Sequence, residues 1–233
     1  MFVFFVLAFA EREKNLCLGI DPLWSKLAMI ATVDIALNNF FREIAILGKE
    51  NFPVDVPLVL APTHRSRWDA LMLAKAAGRR VSNRDCRFMV TDSEMKGLQG
   101  WFLNRIGCFP IDQRKPALIS LRYALDLILE GEQLVVFPEG RINKKRKPIK
   151  LQQGLVRLSQ IAFTKGVDVK VLPIGLGYSE IIPKPFGLAA ICFAEPISIS
   201  EIGKVAAEEF NRKLLKSMHA AEEAALKEVG RNN

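Results

Sequence analysis

The sequence predicts an α/β protein: a single domain with a mixed, largely parallel sheet flanked by helices, preceded by an N-terminal apolar helical segment. Three observations carry this reading. From Pro53 onward, short apolar runs alternate with longer stretches of helical spacing, the pattern of crossover connections in a sheet covered on both faces. The 233 residues are 50% hydrophobic and 25% charged, which suffices for a large core and excludes disordered and collagen-like classes. No linker, low-complexity tract or repeat interrupts the chain after residue 50. Residues 51–233 therefore read as one domain and residues 1–50 as an appendage.

Residues 1–10 (MFVFFVLAFA) are uniformly apolar and stop at Glu11-Arg12-Glu13-Lys14. A bilayer span needs about 20 apolar residues, so this run is too short to cross alone. It also lacks the basic start and cleavage pattern of a signal peptide. Gly19, Asp21 and Pro22 mark a turn. Residues 23–47 then show helical spacing through Leu23, Leu27, Ile30, Ala31, Ile35, Phe40 and Ile44, interrupted by Lys26, Asp34, Asn38, Asn39 and Arg42. Two helices lying in one membrane leaflet, on the cytoplasmic face, are the expectation; ordinary packing helices would carry the same pattern.

Six strands follow, over residues 56–61, 87–90, 108–111, 133–137, 169–174 and 189–193. Pro116 suits a first helical position, and the helix over residues 117–129 runs into Gly131 as its stop. A second helix over residues 152–165 ends at Gly166. The last, over residues 201–229, carries an apolar stripe of Ala206, Phe210, Leu214, Met218, Ala221 and Ala225 that should face the domain.

Cysteines and charge narrow the function classes. Cys17, Cys86, Cys108 and Cys192 are scattered without metal-site spacing, and His64 and His219 are the only histidines. That spacing argues against a structural zinc site and a disulfide framework, and ordinary buried thiols in a reducing compartment fit. The net charge of +8 falls to +2 when Arg141, Lys144, Lys145, Arg146, Lys147 and Lys150 are set aside. These six stand within ten residues that hold no acid, so the segment attracts an anionic partner or is simply a solvated loop. No aromatics interleave with it, which argues against nucleic acid.

Four local features could carry chemistry. Thr63-His64-Arg65-Ser66-Arg67-Trp68-Asp69 follows a strand and opens a helical pattern, placing His64 at the sheet edge where α/β proteins bind ligands. Asp69, in the first helical turn, can reach back to one ring nitrogen, set the tautomer and support the imidazolium. No serine elbow or cysteine accompanies the pair, so the base would act on a substrate hydroxyl. Gly107-Cys108-Phe109-Pro110-Ile111-Asp112-Gln113-Arg114 ends a short strand, and Arg114 there could grip a phosphate with its planar fork. Phe137-Pro138-Glu139-Gly140-Arg141 breaks a buried strand into a turn, and Glu139 shares the edge of His64 if the strands run parallel. Val171-Leu172-Pro173-Ile174-Gly175 is a strand whose proline should end regular pairing. Each alone also reads as a turn.

The ordered set THRSRWD, GCFPIDQR, FPEGR and VLPIG resembles the four blocks of the glycerolipid acyltransferase family, over residues 58–197. The resemblance implies a membrane-associated enzyme that moves an acyl group from a thioester donor, acyl-CoA or acyl carrier protein, to the hydroxyl of a lipid acceptor. It implies His64 as general base and Asp69 as its orienting partner. It places Arg114 on the acceptor phosphate, Pro138, Glu139 and Gly140 in the second half of the acceptor site, and Pro173 near the acyl donor. No metal or bound cofactor is implied. Thr63 stands where the first block commonly has Asn. Arg141 stands where the third usually has Thr or Ser, which could add a second phosphate contact. The acceptor expected is the sn-2 hydroxyl of 1-acyl-glycerol-3-phosphate. Glycerol-3-phosphate, another lysophospholipid, or an inert adaptor on an anionic membrane surface are the alternatives.

Overall fold

The computed structural model describes residues 19–111, 118–145 and 147–231. The first helix, α1, starts where the sequence places a turn. The Asp21 carboxylate accepts from the amides of Leu23 and Trp24 at 3.0 and 3.2 Å, and Pro22 follows it in the first turn. The helix runs over Pro22–Met29, widens to π pitch over Ile30–Leu37 and closes with one turn, Asn38–Phe40. Within the widened segment the Thr32 hydroxyl donates to the Ala28 carbonyl at 2.6 Å, a contact that loosens a helix ladder. The apolar run over residues 1–10 lies outside the described residues.

The helical expectation for residues 23–47 fails at Phe41. Phe41–Leu47 is a strand, β1, paired in parallel with Gly187–Phe193, β7. The physical reason lies in its two apolar faces: Ile44 and Ile46 pack into one core while Ala45 packs against the other. A run apolar on both sides looks the same to a helix template and to a buried strand. The sheet therefore begins at residue 41, ten residues before the boundary read from composition.

Leu58–Pro62 (β2), Cys86–Thr91 (β3), Phe109–Ile111 (β4), Gln133–Val135 (β5) and Lys170–Tyr178 (β6) each overlap a predicted strand, as β7 does. Among the described residues these strands form one sheet in the order β1-β7-β6-β2-β5-β3-β4. The five strands from β6 to β4 are parallel; β7 runs against β6, and β1 follows β7. Pro173 does not end β6, which continues to Tyr178. The ladder with β7 starts at Ile174 and the next bridge back pairs Val171 with Ile197, so the missing N–H of Pro173 falls in the gap between them.

Alternate residues of β2 divide the interior. Leu58 and Leu60 join the core under α1 and Asp69–Ala77, α2, and Val59 and Ala61 join the core on the other face. That second core is covered by Leu118–Leu129 (α5), Gln153–Thr164 (α6) and Lys204–Glu228 (α7), while Arg79–Ser82 (α3) and Gly97–Arg105 (α4) link β2 through β4. Gly131 and Gly166 stop α5 and α6 as predicted. Each takes a left-handed conformation (φ +78° and +80°), and the next residue's amide bonds back to a carbonyl five residues earlier, Glu132 to Leu127 and Val167 to Ala162. The last helix lies hard against β6. A Cβ on Gly175 would stand 2.1 Å from the Ala221 carbonyl carbon, and one on Gly177 2.6 Å from that of Ala225.

Candidate active site

Parallel pairing of β2 with β5 and β6 brings three strand ends to one edge. Thr63 secures the turn that leaves β2. Its amide donates to the Ile174 carbonyl at 2.9 Å and its hydroxyl accepts from the Leu176 amide at 3.0 Å. The next residue, His64, turns its ring onto α2, where Nδ1 meets Asp69 Oδ2 at 2.9 Å.

Asp69 is the first residue of α2 and is fully buried. Its Oδ2 also accepts from the amides of Arg65 at 2.6 Å and Ser66 at 2.8 Å, and its Oδ1 from the Tyr178 hydroxyl at 2.6 Å. A carboxylate bonded on both oxygens in this way cannot rotate. With Nδ1–H committed to Asp69, neutral His64 carries its lone pair on Nε2. The ring is 19% exposed on its side chain and stacks on Phe137, centroids 4.0 Å apart. Trp68 closes the helix side of the turn, stacked on Phe40 at 4.1 Å. The arrangement can hold a base at a water-accessible edge and support its positive charge.

Glu139 reaches the same edge. Its Oε1 accepts from the His64 amide at 3.0 Å and from Arg65 Nη1 at 2.7 Å; its Oε2 accepts from Asn143 Nδ2 at 2.9 Å. Both oxygens are thus spent inside the protein, bracing the turn that carries His64. The Pro138 carbonyl accepts from the Gln152 amide at 2.8 Å, and Gly140 takes the left-handed conformation (φ +68°) that turns the chain out of the edge. Arg141 is exposed at the start of the basic loop. That loop is tied to the site, because the Asn143 amide donates to the His64 carbonyl at 2.7 Å. Pro173 is buried within β6 and aligned with Ala61. Arg114 and Arg146 lie outside the described residues.

Three contributors escaped the sequence reading. Arg65 is buried and pairs with Glu222 on α7, Nε to Oε1 at 2.5 Å and Nη2 to Oε2 at 2.9 Å, as well as with Glu139. Burial works against its charge, but the bonds and attraction to Glu222 and Glu139 outweigh that and raise its pKa. Glu222 reads in sequence as part of an exposed flank near His219. It stands four residues after Met218, so it lies on the buried stripe, and a lone acid there was the available signal. Tyr178 lies beyond the expected end of β6. Its burial, and then the charge of Asp69, push its phenol well above the usual value, so it stays a donor.

Comparison with known proteins completes the picture. A family model described as Acyltransferase matches residues 43–177, a stretch that includes His64, Asp69 and Glu139 but not Glu222. A Bacillus subtilis protein named 1-acyl-sn-glycerol-3-phosphate acyltransferase is 29% identical over 119 residues, covering 51% of this chain and 57% of the relative. A Streptococcus pneumoniae protein of the same name is 25% identical over 157 residues, covering 65% and 54%. The chain thus spans little more than half the length of these curated relatives. The crystal structure of PlsC, the 1-acyl-sn-glycerophosphate acyltransferase of Thermotoga maritima, superposes with a TM-score of 0.59 at 18% identity, over 94% of this chain and 89% of that one. At that identity the likeness speaks for the fold.

Proposed function

The chain belongs to the Acyltransferase family, and from that premise we propose that it transfers a fatty acyl group from acyl-CoA or acyl carrier protein to the sn-2 hydroxyl of 1-acyl-glycerol-3-phosphate, giving phosphatidic acid. The observation that carries this reading is the His64–Asp69 contact of 2.9 Å at the sheet edge. As the acceptor oxygen bonds to the thioester carbonyl carbon, Nε2 of His64 takes the hydroxyl proton and Asp69 steadies the imidazolium. The tetrahedral intermediate then collapses, the carbon–sulfur bond breaks, and the proton passes to the departing thiolate. Direct transfer in a ternary complex fits, because the side chain on the ring is Asp69, whose oxygens are taken up by His64, two amides and Tyr178. Among the described residues, no serine or cysteine is paired to the base.

On this reading Arg114 holds the acceptor phosphate, Arg141 contributes beside it, and Pro138, Glu139, Gly140 and Pro173 shape the substrate site. The protein rests on one leaflet, cytoplasmic side. That placement is supported by the outward-facing Leu23, Leu27 and Ile35 of α1 and by the exposed basic loop. Among the described residues, no helix is long and apolar enough to cross a membrane.

The test is a donor-by-acceptor activity matrix in vesicles, run on the wild type and on His64→Ala, Asp69→Asn and Arg114→Lys. His64→Ala should lower turnover by roughly two to four orders of magnitude in a folded protein. Asp69→Asn should also be severe, since the amide keeps a contact and loses the charge. Arg114→Lys should weaken phosphate-bearing acceptors most. Unchanged turnover in folded His64→Ala would sink the mechanism. A best rate with glycerol-3-phosphate or another lysophospholipid would move the acceptor and keep the chemistry.

A further inference from the structure

β6 leaves the catalytic edge at Tyr178, and the chain returns as β7 from Gly187. The connection between them, residues 179–186, reads Ser-Glu-Ile-Ile-Pro-Lys-Pro-Phe. Its Ile181, Ile182 and Phe186 are 59%, 64% and 73% exposed. Single exposed apolar side chains are ordinary on a soluble surface; three on one turn beside an active site are not. Phe186 also holds φ at +62°, a conformation in which Gly or Asn would be less strained than a bulky side chain. The turn is braced nonetheless: the Phe186 amide donates to the Phe40 carbonyl at 2.6 Å and the Gly187 amide to the Lys184 carbonyl at 3.1 Å. The turn thus presents large apolar groups to water on a fixed backbone, joined to the end of α1.

Charge identifies what would cover it. Ile181 and Lys144 line one recess together with Tyr178 and Glu222. The apolar turn and the basic loop therefore meet at the catalytic edge. Arg141, Lys144, Lys145, Lys147 and Lys150 are all exposed on that loop. An apolar tip bordered by cations complements an anionic bilayer, whose acyl boundary takes the apolar groups while its headgroups take the charge. A neutral apolar partner protein would leave the cations unanswered.

We propose that residues 179–186 insert into the interfacial layer of an anionic phospholipid bilayer and, with the basic loop, set the catalytic edge down on the lipid surface. The inference rests on the lipid-acceptor reading above and adds the element that delivers the site to its substrate. The test uses the full chain carrying Ile181→Ser, Ile182→Ser and Phe186→Asn, with Asn chosen because it tolerates the left-handed backbone. Co-flotation is measured with equimolar phosphatidylglycerol–phosphatidylcholine vesicles and with phosphatidylcholine alone. Binding to the mixed vesicles should fall about tenfold or more, the scale set by three apolar side chains no longer buried in lipid. The thermal midpoint should hold, and so should transfer to a short-chain acceptor dissolved as monomers. A variant with Leu at all three positions should bind like the wild type.

Undiminished vesicle binding by the folded triple variant overturns the proposal. So does a change confined to self-association in solution, which would make the turn a contact between copies. If the triple variant misfolds, Ile182→Ser alone carries the test, with a loss of about threefold expected and no loss overturning it. A wild type that transfers no acyl group to any acceptor, yet binds vesicles through this turn, would refute the enzymatic reading and leave the docking surface standing.

Discussion

At the scale of single residues, the behaviour of Asp69 depends on a partner far away in sequence. Tyr178, 109 residues on, donates to Oδ1 at 2.6 Å, while His64 and two amides share Oδ2. Removing that hydroxyl leaves one buried carboxylate oxygen without its donor. Tyr178→Phe should therefore cost about 1–3 kcal/mol of stability. It should also lower kcat about tenfold by loosening the group that supports the imidazolium. Thermal melts and steady-state kinetics on the one variant check both, and an unchanged kcat would confine Tyr178 to packing. His64 and Asp69 were legible in the sequence because a strand end and a first helical turn bring residues five apart together without help from the rest of the chain. Tyr178 was not, since parallel pairing of β6 with β2 is what carries it there.

Among the elements, α1 buries Ala28, Val33 and Leu37 and carries an ion pair on its partly exposed side. Asp34 accepts from Arg80 at 2.5 Å and 2.6 Å, a two-pronged contact that ties the π-helical stretch to α3. The hydrogen bonds from Arg80 hold the Asp34 carboxyl below its ordinary pKa. A depressed carboxyl contributes stability that is present above the unfolded value and lost as pH falls through the folded one. Acidification below about pH 4 should therefore loosen the tie between α1 and α3. The readout is amide exchange, corrected for intrinsic rates: protection over residues 22–40 should fall at low pH in the wild type. Asp34→Asn should show reduced protection at both low and neutral pH, without the same step between them. The helix itself was legible from its spacing and its Asp-Pro start. Its end was not, because residues 44–46 carry apolar groups on both faces, and only the partner strand β7 decides between helix and ladder.

For the molecule as a whole, the turn that carries His64 is clamped by carboxylates from two separate elements. Arg65 takes Glu139 from the β5 turn and Glu222 from α7, and all three are buried. Taking Arg65 away would strand two buried carboxylates, so Arg65→Ala should cost about 3–5 kcal/mol. Glu222→Gln is the gentler probe: it can keep a hydrogen bond while dropping one charge. It should lower kcat more than it raises KM if the clamp positions His64, and a purely structural role would shift the thermal midpoint alone. The parallel sheet, its strand edge and the two glycine stops were legible because each follows from local pattern. The clamp was not, since it joins residues 157 apart through a helix that reads as a plain amphipathic cover. That separation has a consequence for the order of synthesis. A growing chain exposes His64, Asp69 and Glu139 early, yet Glu222 leaves the ribosome only after every strand of the sheet has been made. Nascent chains lacking α7 would hold the turn with one brace in place of two. Helix α7 would then act as a completion step for the turn, adding its second brace only once Glu222 has been made.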